Sequence, residues 1–239
     1  MFTPIYYEHG DNVLKIYGHR ANTARIIRYY LRTGIKAFEV DLTLDEGKDK
    51  IVLRHGPSPI RRPSIPGRIM AWIDYHFFYR DPLLKKISFE EILELAVRKG
   101  IDLLLDIKDL RTAEKLVEVL STINTRGIEL ALSSEDHRAI KYIANKMDKG
   151  IFLVSLSVRP VDVPSIVSAA SANGISIKYT LLTRDLIREL KDKGYIVYAW
   201  TVNDVKGLYK MIELGVDAII SDCPDKLVKA LQNIIRDHM

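Results

Sequence analysis

Thiols are nearly missing from this 239-residue chain. Cys223 is its one cysteine, so no internal disulfide can form and no thiolate cluster can hold a metal. Glutamine is as scarce, with Gln232 alone against 36 Lys plus Arg and 31 Asp plus Glu, a bias expected of a protein from a hot environment. No apolar run approaches the roughly 20 residues of a membrane span. The stretch 1–14 carries Glu8, His9 and Asp11 in place of an apolar h-region, so no secretory leader is expected and the cytoplasm is the expected location. A basic patch interleaved with aromatics is also missing. The formal charge is only +5, and Lys and Arg are spread beside Glu and Asp, so nucleic acid is not an expected partner. The densest basic group, Arg61, Arg62 and Arg68, reads as a solvated loop, with attraction of an anionic substrate as the alternative.

What is present is a soluble globular composition, 47% hydrophobic and 28% charged, in a length that suits one barrel domain over 1–239. Strands are expected at 13–18, 37–44, 102–107, 128–132, 151–155, 175–179, 196–201 and 218–221. Helices are expected at 22–32, 89–99, 112–125, 134–146, 163–172, 183–193, 205–214 and 225–236. Strict alternation of this kind requires parallel strands joined by crossover helices, and eight units suit a closed (β/α)₈ TIM barrel, an α/β fold. Gly34, Gly100, Gly127, Gly150, Gly174, Gly194 and Gly215 each fall between a helix and a strand, where a left-handed residue ends a helix. One apolar run, 51–55, follows the second strand too closely for a crossover. It is expected to return as an antiparallel hairpin, lifting His55 to the height of Asp41. The Pro- and aromatic-rich stretch 56–87 then reads as an insertion covering the barrel mouth, where barrel active sites lie.

Alternation along the second strand puts Glu39 and Asp41 on one face and Phe38, Val40 and Leu42 on the other. The apolar set must meet the helices, so the acids point into the barrel. The third strand repeats this, with Asp106 and Lys108 inward and Leu105 and Ile107 outward. Three converging carboxylates suit a hard cation such as Mg²⁺; the bland alternative is an ion-pair network with Arg20 and Lys108. His19 ends the first strand at the same mouth. Two histidines, His19 and His55, can move protons, Arg20 offers a bidentate fork for phosphate, and Lys108 a point charge. Together these are the parts needed to hold and cleave a phosphodiester. Trp200 could equally fill the core, Asn203 could cap the following helix, and Cys223 reads as a buried small residue. His9, His76, His137 and His238 fit no arrangement, although His76 falls in the insertion.

The set Gly18-His19-Arg20, Glu39-x-Asp41, His55-Gly56, Asp106-x-Lys108, Trp200-Thr201-Val202-Asn203 and Gly215-Val216-Asp217-Ala218-Ile219-Ile220-Ser221-Asp222-x-Pro224 resembles the glycerophosphodiester phosphodiesterases. The resemblance implies a small-molecule glycerophosphodiester substrate, cleaved to an alcohol and glycerol phosphate, with His19 and His55 as the acid–base pair. It also implies one divalent cation, Mg²⁺ or Ca²⁺, held by Glu39, Asp41 and Asp106. Arg20 and Lys108 would bind phosphate, Trp200 would wall the pocket, and a neighbouring substrate hydroxyl would attack phosphorus to give a cyclic phosphate.

The chain departs from the family pattern in three places. His-Arg-Ala replaces His-Arg-Gly with a short following loop, Asp106 replaces a glutamate, and His55 precedes glycine instead of aspartate. These features also resemble the phospholipase D toxins of spider venoms, which act on lysolipids, so a lysophospholipid is the alternative substrate. The lack of disulfides argues against a toxin. A non-catalytic phosphate- or lipid-binding barrel with structurally paired acids is the rival from another class. A phosphate-ester isomerase is disfavoured, because the loops at 203–204 and 222–225 are acidic and lack paired glycines.

Overall fold

The computed structural model describes residues 7–9, 12–45, 47–55 and 87–237. The insertion expected at 56–87, with His76 and Arg61, Arg62 and Arg68, lies outside the described residues up to residue 86. A short strand β1 (Tyr7–His9) pairs antiparallel with β2 (Asn12–Gly18). After α1 (Ala24–Arg32) come β3 (Ala37–Asp45) and β4 (Lys50–Leu53). The chain then alternates through α2 (Phe89–Lys99), β5 (Asp102–Ile107), α3 (Leu110–Thr122), β6 (Leu130–Ser134), α4 (His137–Ala144) and β7 (Ile151–Leu156). It ends with α5 (Val163–Ala169), β8 (Gly174–Lys178), α6 (Arg184–Asp192), β9 (Ile196–Trp200), α7 (Val205–Leu214), β10 (Ala218–Ser221) and α8 (Pro224–Asp237).

Eight of these strands run parallel, and the ring closes where β10 and β3 both pair with β2. This is the expected (β/α)₈ barrel. The apolar residues divide into two clusters, as alternation requires. Phe38, Val40, Leu42, Leu105 and Ile107 pack in the layer between sheet and helices. Tyr17, Leu104, Ala131, Leu153, Tyr198 and Ile220 fill the barrel interior. The hairpin also forms as expected: β4 runs antiparallel to β3, pairing Leu53 with Leu42.

Side-chain caps start the helices at the mouth. Asp109, Asp136, Asp162, Thr183 and Asp204 each accept from a backbone N–H of the first turn, satisfying donors that the helix leaves unpaired. Capping by Asp136 begins α4 three residues later than expected and leaves 133–134 in β6, so Ser133 faces the barrel interior. Six of the seven glycines named above do adopt positive φ, but Gly174 does not. It belongs to β8, where a Cβ would stand 1.9 Å from the Ile196 carbonyl oxygen. Close strand approach, not helix termination, requires glycine there, and Ser171 (φ 53°) takes the left-handed position after α5. Among the described residues, no helix is long and apolar enough to cross a membrane.

The end of the barrel opposite the mouth is closed by charge and phenol. Lys15 Nζ donates to Asp102 (2.8 Å) and Glu129 (2.7 Å), and the buried Tyr17 hydroxyl donates to Glu129 (3.1 Å). Burial, then the neighbouring acidic groups, raises the phenols of Tyr17 and Tyr198 well above the ordinary tyrosine range. The folded state therefore keeps protons that the unfolded chain releases. The stability this contributes is complete below about pH 10 and is lost as pH rises beyond it. In an ultraviolet titration, at least two of the twelve tyrosines should remain unionised at about pH 11 in native protein and ionise at once in guanidinium. Full native ionisation at that pH would show these phenols to be solvated.

Candidate active site

β2 delivers Gly18, His19 and Arg20 to the mouth. Gly18 lies flat on Tyr30, where a Cβ would meet the ring at 2.5 Å, and the Tyr30 hydroxyl donates to the His19 carbonyl at 2.7 Å. These contacts anchor the backbone from which the imidazole projects. Arg20 is left-handed (φ 53°), a conformation costing a non-glycine residue about 1 kcal/mol. The turn aims the Arg20 N–H at Glu39 Oε2, 2.6 Å away.

Glu39 and Asp41 are buried on the inner face of β3, and Asp106 pairs in register with Asp41 across β5. Carboxylate oxygens of all three lie within 4.8 Å of one another. Lys108 Nζ sits between Asp41 and Asp106, paired with both, and Ser133 Oγ donates to Asp106 at 3.1 Å. Asn22 grips Asp41 twice: its Nδ2 donates to Oδ2 (2.6 Å), and its Oδ1 accepts from the Asp41 N–H (2.9 Å).

The hairpin places His55 as expected. The Arg54 N–H donates to the Asp41 carbonyl (2.9 Å), and His55 Nδ1 lies 2.9 Å from Asp41 Oδ1. On its other side, Arg20 Nη2 lies 3.0 Å from His55 Nε2. A carboxylate only accepts and a guanidinium only donates, so Nδ1 carries the proton and Nε2 presents its lone pair. Of the ion-pair network held as the bland alternative, Lys108 takes part, whereas the Arg20 guanidinium turns to His55. On the other flank, His19 Nδ1 lies 2.6 Å from Asp222 Oδ1, and His19 Nε2 is 3.9 Å from Glu39 Oε2.

Charge is unevenly balanced in the cluster. Burial, reinforced by Asp41 and Asp106, pushes the Glu39 carboxyl well above its ordinary range. Burial also outweighs Lys108 at Asp106, which is raised. At Asp41 burial is overcome by the His55 hydrogen bond and by Lys108, which hold its carboxyl far below the usual range. Lys108 is raised because Asp106, Asp41 and Glu39 outweigh its burial. Among the described residues three acids face one buried ammonium, and Glu39 is the carboxylate with no lysine or arginine side chain paired to it. A divalent cation fits both this deficit and the hard-oxygen donor set, so Glu39, Asp41 and Asp106 could hold one.

All seven of these expected residues that carry charge or an imidazole, together with Trp200, line one cavity of about 670 Å³ at the mouth. The Trp200 indole Nε1 is buried without a hydrogen-bond partner among the described residues. Asn203 does not cap α7; Asp204 does. Instead Asn203 Nδ2 donates to Asp222 Oδ2 (2.7 Å), while its Oδ1 accepts from the Asp222 N–H (2.9 Å). Cys223 is half-buried, and its thiol donates to the Asn203 carbonyl (3.1 Å). His137 does not line the cavity; its Nε2 lies 3.3 Å from the carbonyl of Ser155, which does. Asn22, Ser133 and Asp222 escaped sequence reasoning as members of the site. Asp222 left a trace as part of the Ser-Asp-x-Pro motif, and Asn22 lies in the short loop noted after His-Arg-Ala.

Comparison with known proteins bears on the family and the fold. The Bacillus subtilis protein YhdW shares 41% identity over 58 residues, 24% of this chain and 24% of that relative's length. A Bacillus altitudinis protein named glycerophosphodiester phosphodiesterase is 24% identical over 94% of this chain and 99% of its own. Among solved structures, an Oleispira antarctica phosphodiesterase in complex with the product sn-glycerol-3-phosphate superposes with a TM-score of 0.76. It covers 91% of this chain and 96% of its own at 22% identity, which establishes the shared fold. The model of the glycerophosphoryl diester phosphodiesterase family matches residues 18–226, most of the sequence, and the chain belongs to that family.

Proposed function

We propose that this protein cleaves glycerophosphodiesters to an alcohol and glycerol phosphate, with His19 and His55 moving the protons. The observation that carries this reading is the pair of imidazoles flanking three carboxylates whose oxygens lie within 4.8 Å, inside one cavity. Support comes from the Bacillus altitudinis relative's named activity and from the product bound in the Oleispira structure.

Glu39, Asp41 and Asp106 would hold one divalent cation, Mg²⁺ or Ca²⁺, which when bound supplies a Lewis acid for a phosphoryl oxygen. Lys108 and the Arg20 guanidinium bring positive charge to the other oxygens. One imidazole takes the proton of a substrate hydroxyl next to the phosphate as its oxygen bonds to phosphorus. The bond from phosphorus to the leaving oxygen breaks, and the other imidazole protonates the departing alcohol. Water then opens the cyclic ester, so the sum is one diester and one water giving a phosphomonoester and an alcohol. Trp200 walls the cavity and limits access of water.

One observation favours a lysophospholipid as a second substrate. The loop between β7 and α5, which rises from the strand end bearing Ser155, exposes Val158 and Val161 (71% and 108%) at the mouth. The test is turnover of glycerophosphocholine and lysophosphatidylcholine side by side with Mg²⁺, with Ca²⁺ and with EDTA. Metal-dependent release of choline from the first is expected, and preference for the second would assign the lipid. No turnover of either, with a melting temperature indifferent to EDTA, would leave the non-catalytic binding barrel as the better reading.

A further inference from the structure

We propose that Asp222, clamped by Asn203, is the positioning residue that fixes the tautomer and direction of His19. The proposal rests on the assignment of His19 to proton transfer given above. His19 ends β2 and Asp222 follows β10; the two strands are neighbours, so residues 203 positions apart meet at 2.6 Å.

The chemistry of the pair admits one arrangement. An ionised carboxylate only accepts, so His19 Nδ1 must carry the proton. Nε2 is then left as the nitrogen facing the cavity and Glu39, free to exchange a proton with substrate. The Asp222 side chain is 55% exposed, and an exposed carboxylate would swing among rotamers. Asn203 prevents this. Its amide nitrogen donates to Asp222 Oδ2, its carbonyl oxygen accepts from the Asp222 N–H, and the same oxygen accepts from Ser221 Oγ at 3.2 Å. Each polar atom of the Asn203 amide is thereby committed. The loop carrying it is tied to β10 in turn, since the Val202 N–H donates to the Ile220 carbonyl at 3.0 Å. The hydrogen bond from His19, together with that from Asn203, holds the Asp222 carboxyl at about 2, so it stays ionised at any working pH. The order of donors and acceptors therefore runs Asn203 amide to Asp222 carboxylate to His19 Nδ1–H, and only Nε2 is left for chemistry.

This donor order makes a swap informative. In Asp222→Asn, the new amide nitrogen must face either the Asn203 amide nitrogen or His19 Nδ1. One donor then meets another, or the imidazole takes the opposite tautomer. In the double variant Asn203→Asp, Asp222→Asn, the new amide at 222 can donate to the new carboxylate at 203 and still accept from His19 Nδ1–H. For glycerophosphocholine cleavage, Asp222→Ala and Asp222→Asn should each lower kcat about 10²-fold with KM within about twofold. The swap should recover about tenfold over Asp222→Asn. Adding Asp222→Ala to His19→Ala should cost nothing further, because the carboxylate acts only through the imidazole.

A second readout needs no turnover. In nitrogen-15 histidine spectra, His19 should be the Nδ1–H tautomer in wild type and in the swap, and lose that preference in Asp222→Ala. The swap, which conserves size and hydrogen bonds, carries the test if Asp222→Ala fails to fold. An unchanged tautomer in Asp222→Ala, or a swap no more active than Asp222→Asn, overturns the positioning role. An active His19→Ala enzyme would instead refute the assignment of His19 itself, and the spectra would still decide whether Asp222 sets its tautomer.

Discussion

His55→Ala should lower kcat on glycerophosphocholine about 10³-fold while lowering the melting temperature by only a few degrees. The two halves of this expectation have separate origins. His55 stands beyond the end of β4 with its side chain 55% exposed, so truncation removes little buried area and opens no cavity. Asp41, the group it leaves behind, loses the His55 hydrogen bond but keeps Lys108 and the donation from Asn22 Nδ2, so its buried charge is less stabilised and not stranded. The loss in rate would come from Nε2, which among the described imidazole nitrogens is the one that is unprotonated and directed at a cation. Arg20 Nη2 now occupies that lone pair, so substrate phosphate must draw the guanidinium away to expose it. Truncation would thus remove the proposed proton carrier and free Arg20 at once. Added imidazole should restore part of the lost rate by filling the space, with Arg20 still available to phosphate. A variant that keeps more than about a tenth of the wild-type kcat would exclude His55 from proton transfer.

The parts of this site that could be read from the sequence are those governed by local periodicity. Period-two alternation turned Glu39 and Asp41 inward because Phe38, Val40 and Leu42 needed the helix layer, and Asp106 and Lys108 followed the same rule. The short link after β3 forced a hairpin, and a hairpin of that length returns His55 to Asp41. What stayed hidden depends on pairings between distant segments. Asn22 precedes the cap residue Thr23 and looks like one more polar helix-start residue; that its amide reaches Asp41 depends on β2 lying beside β3. Asp222 meets His19 only because the barrel closes at β10 and β2, and Asn203 reaches Asp222 because β9 lies beside β10. Gly174 looked like a helix terminator, since the Ile196 carbonyl that excludes a side chain there lies on the next strand. Arg20 was read as a phosphate ligand and, in the bland alternative, as a partner of the acids; its left-handed backbone gives Glu39 its N–H and sends the guanidinium to His55.

Glu39→Gln should reverse the order of stability between metal-free and metal-loaded protein. Without metal, the Glu39 carboxyl is raised by burial and by the charges of Asp41 and Asp106. A raised carboxyl keeps its proton in the folded state after the unfolded chain has released it. Its contribution is complete below the ordinary glutamate range and is lost as pH rises through the raised value of the folded state. A neutral amide of the same shape has no such slope. It can still accept the Arg20 N–H and can donate to a neighbouring carboxylate. Metal-free Glu39→Gln should therefore melt no lower than wild type at neutral pH, and higher as pH is raised. With divalent cation at 100 times its Kd, wild type gains about 2.7 kcal/mol, roughly 5–10 °C for a chain of this length. The variant, short of one anionic ligand, should gain little and turn over substrate at less than about 1% of the wild-type rate. Paired thermal melts with EDTA and with Mg²⁺ or Ca²⁺ decide it. If wild type is the more stable under both conditions by the same margin, Glu39 is a structural acid paired within the protein, and the cation must be held without it.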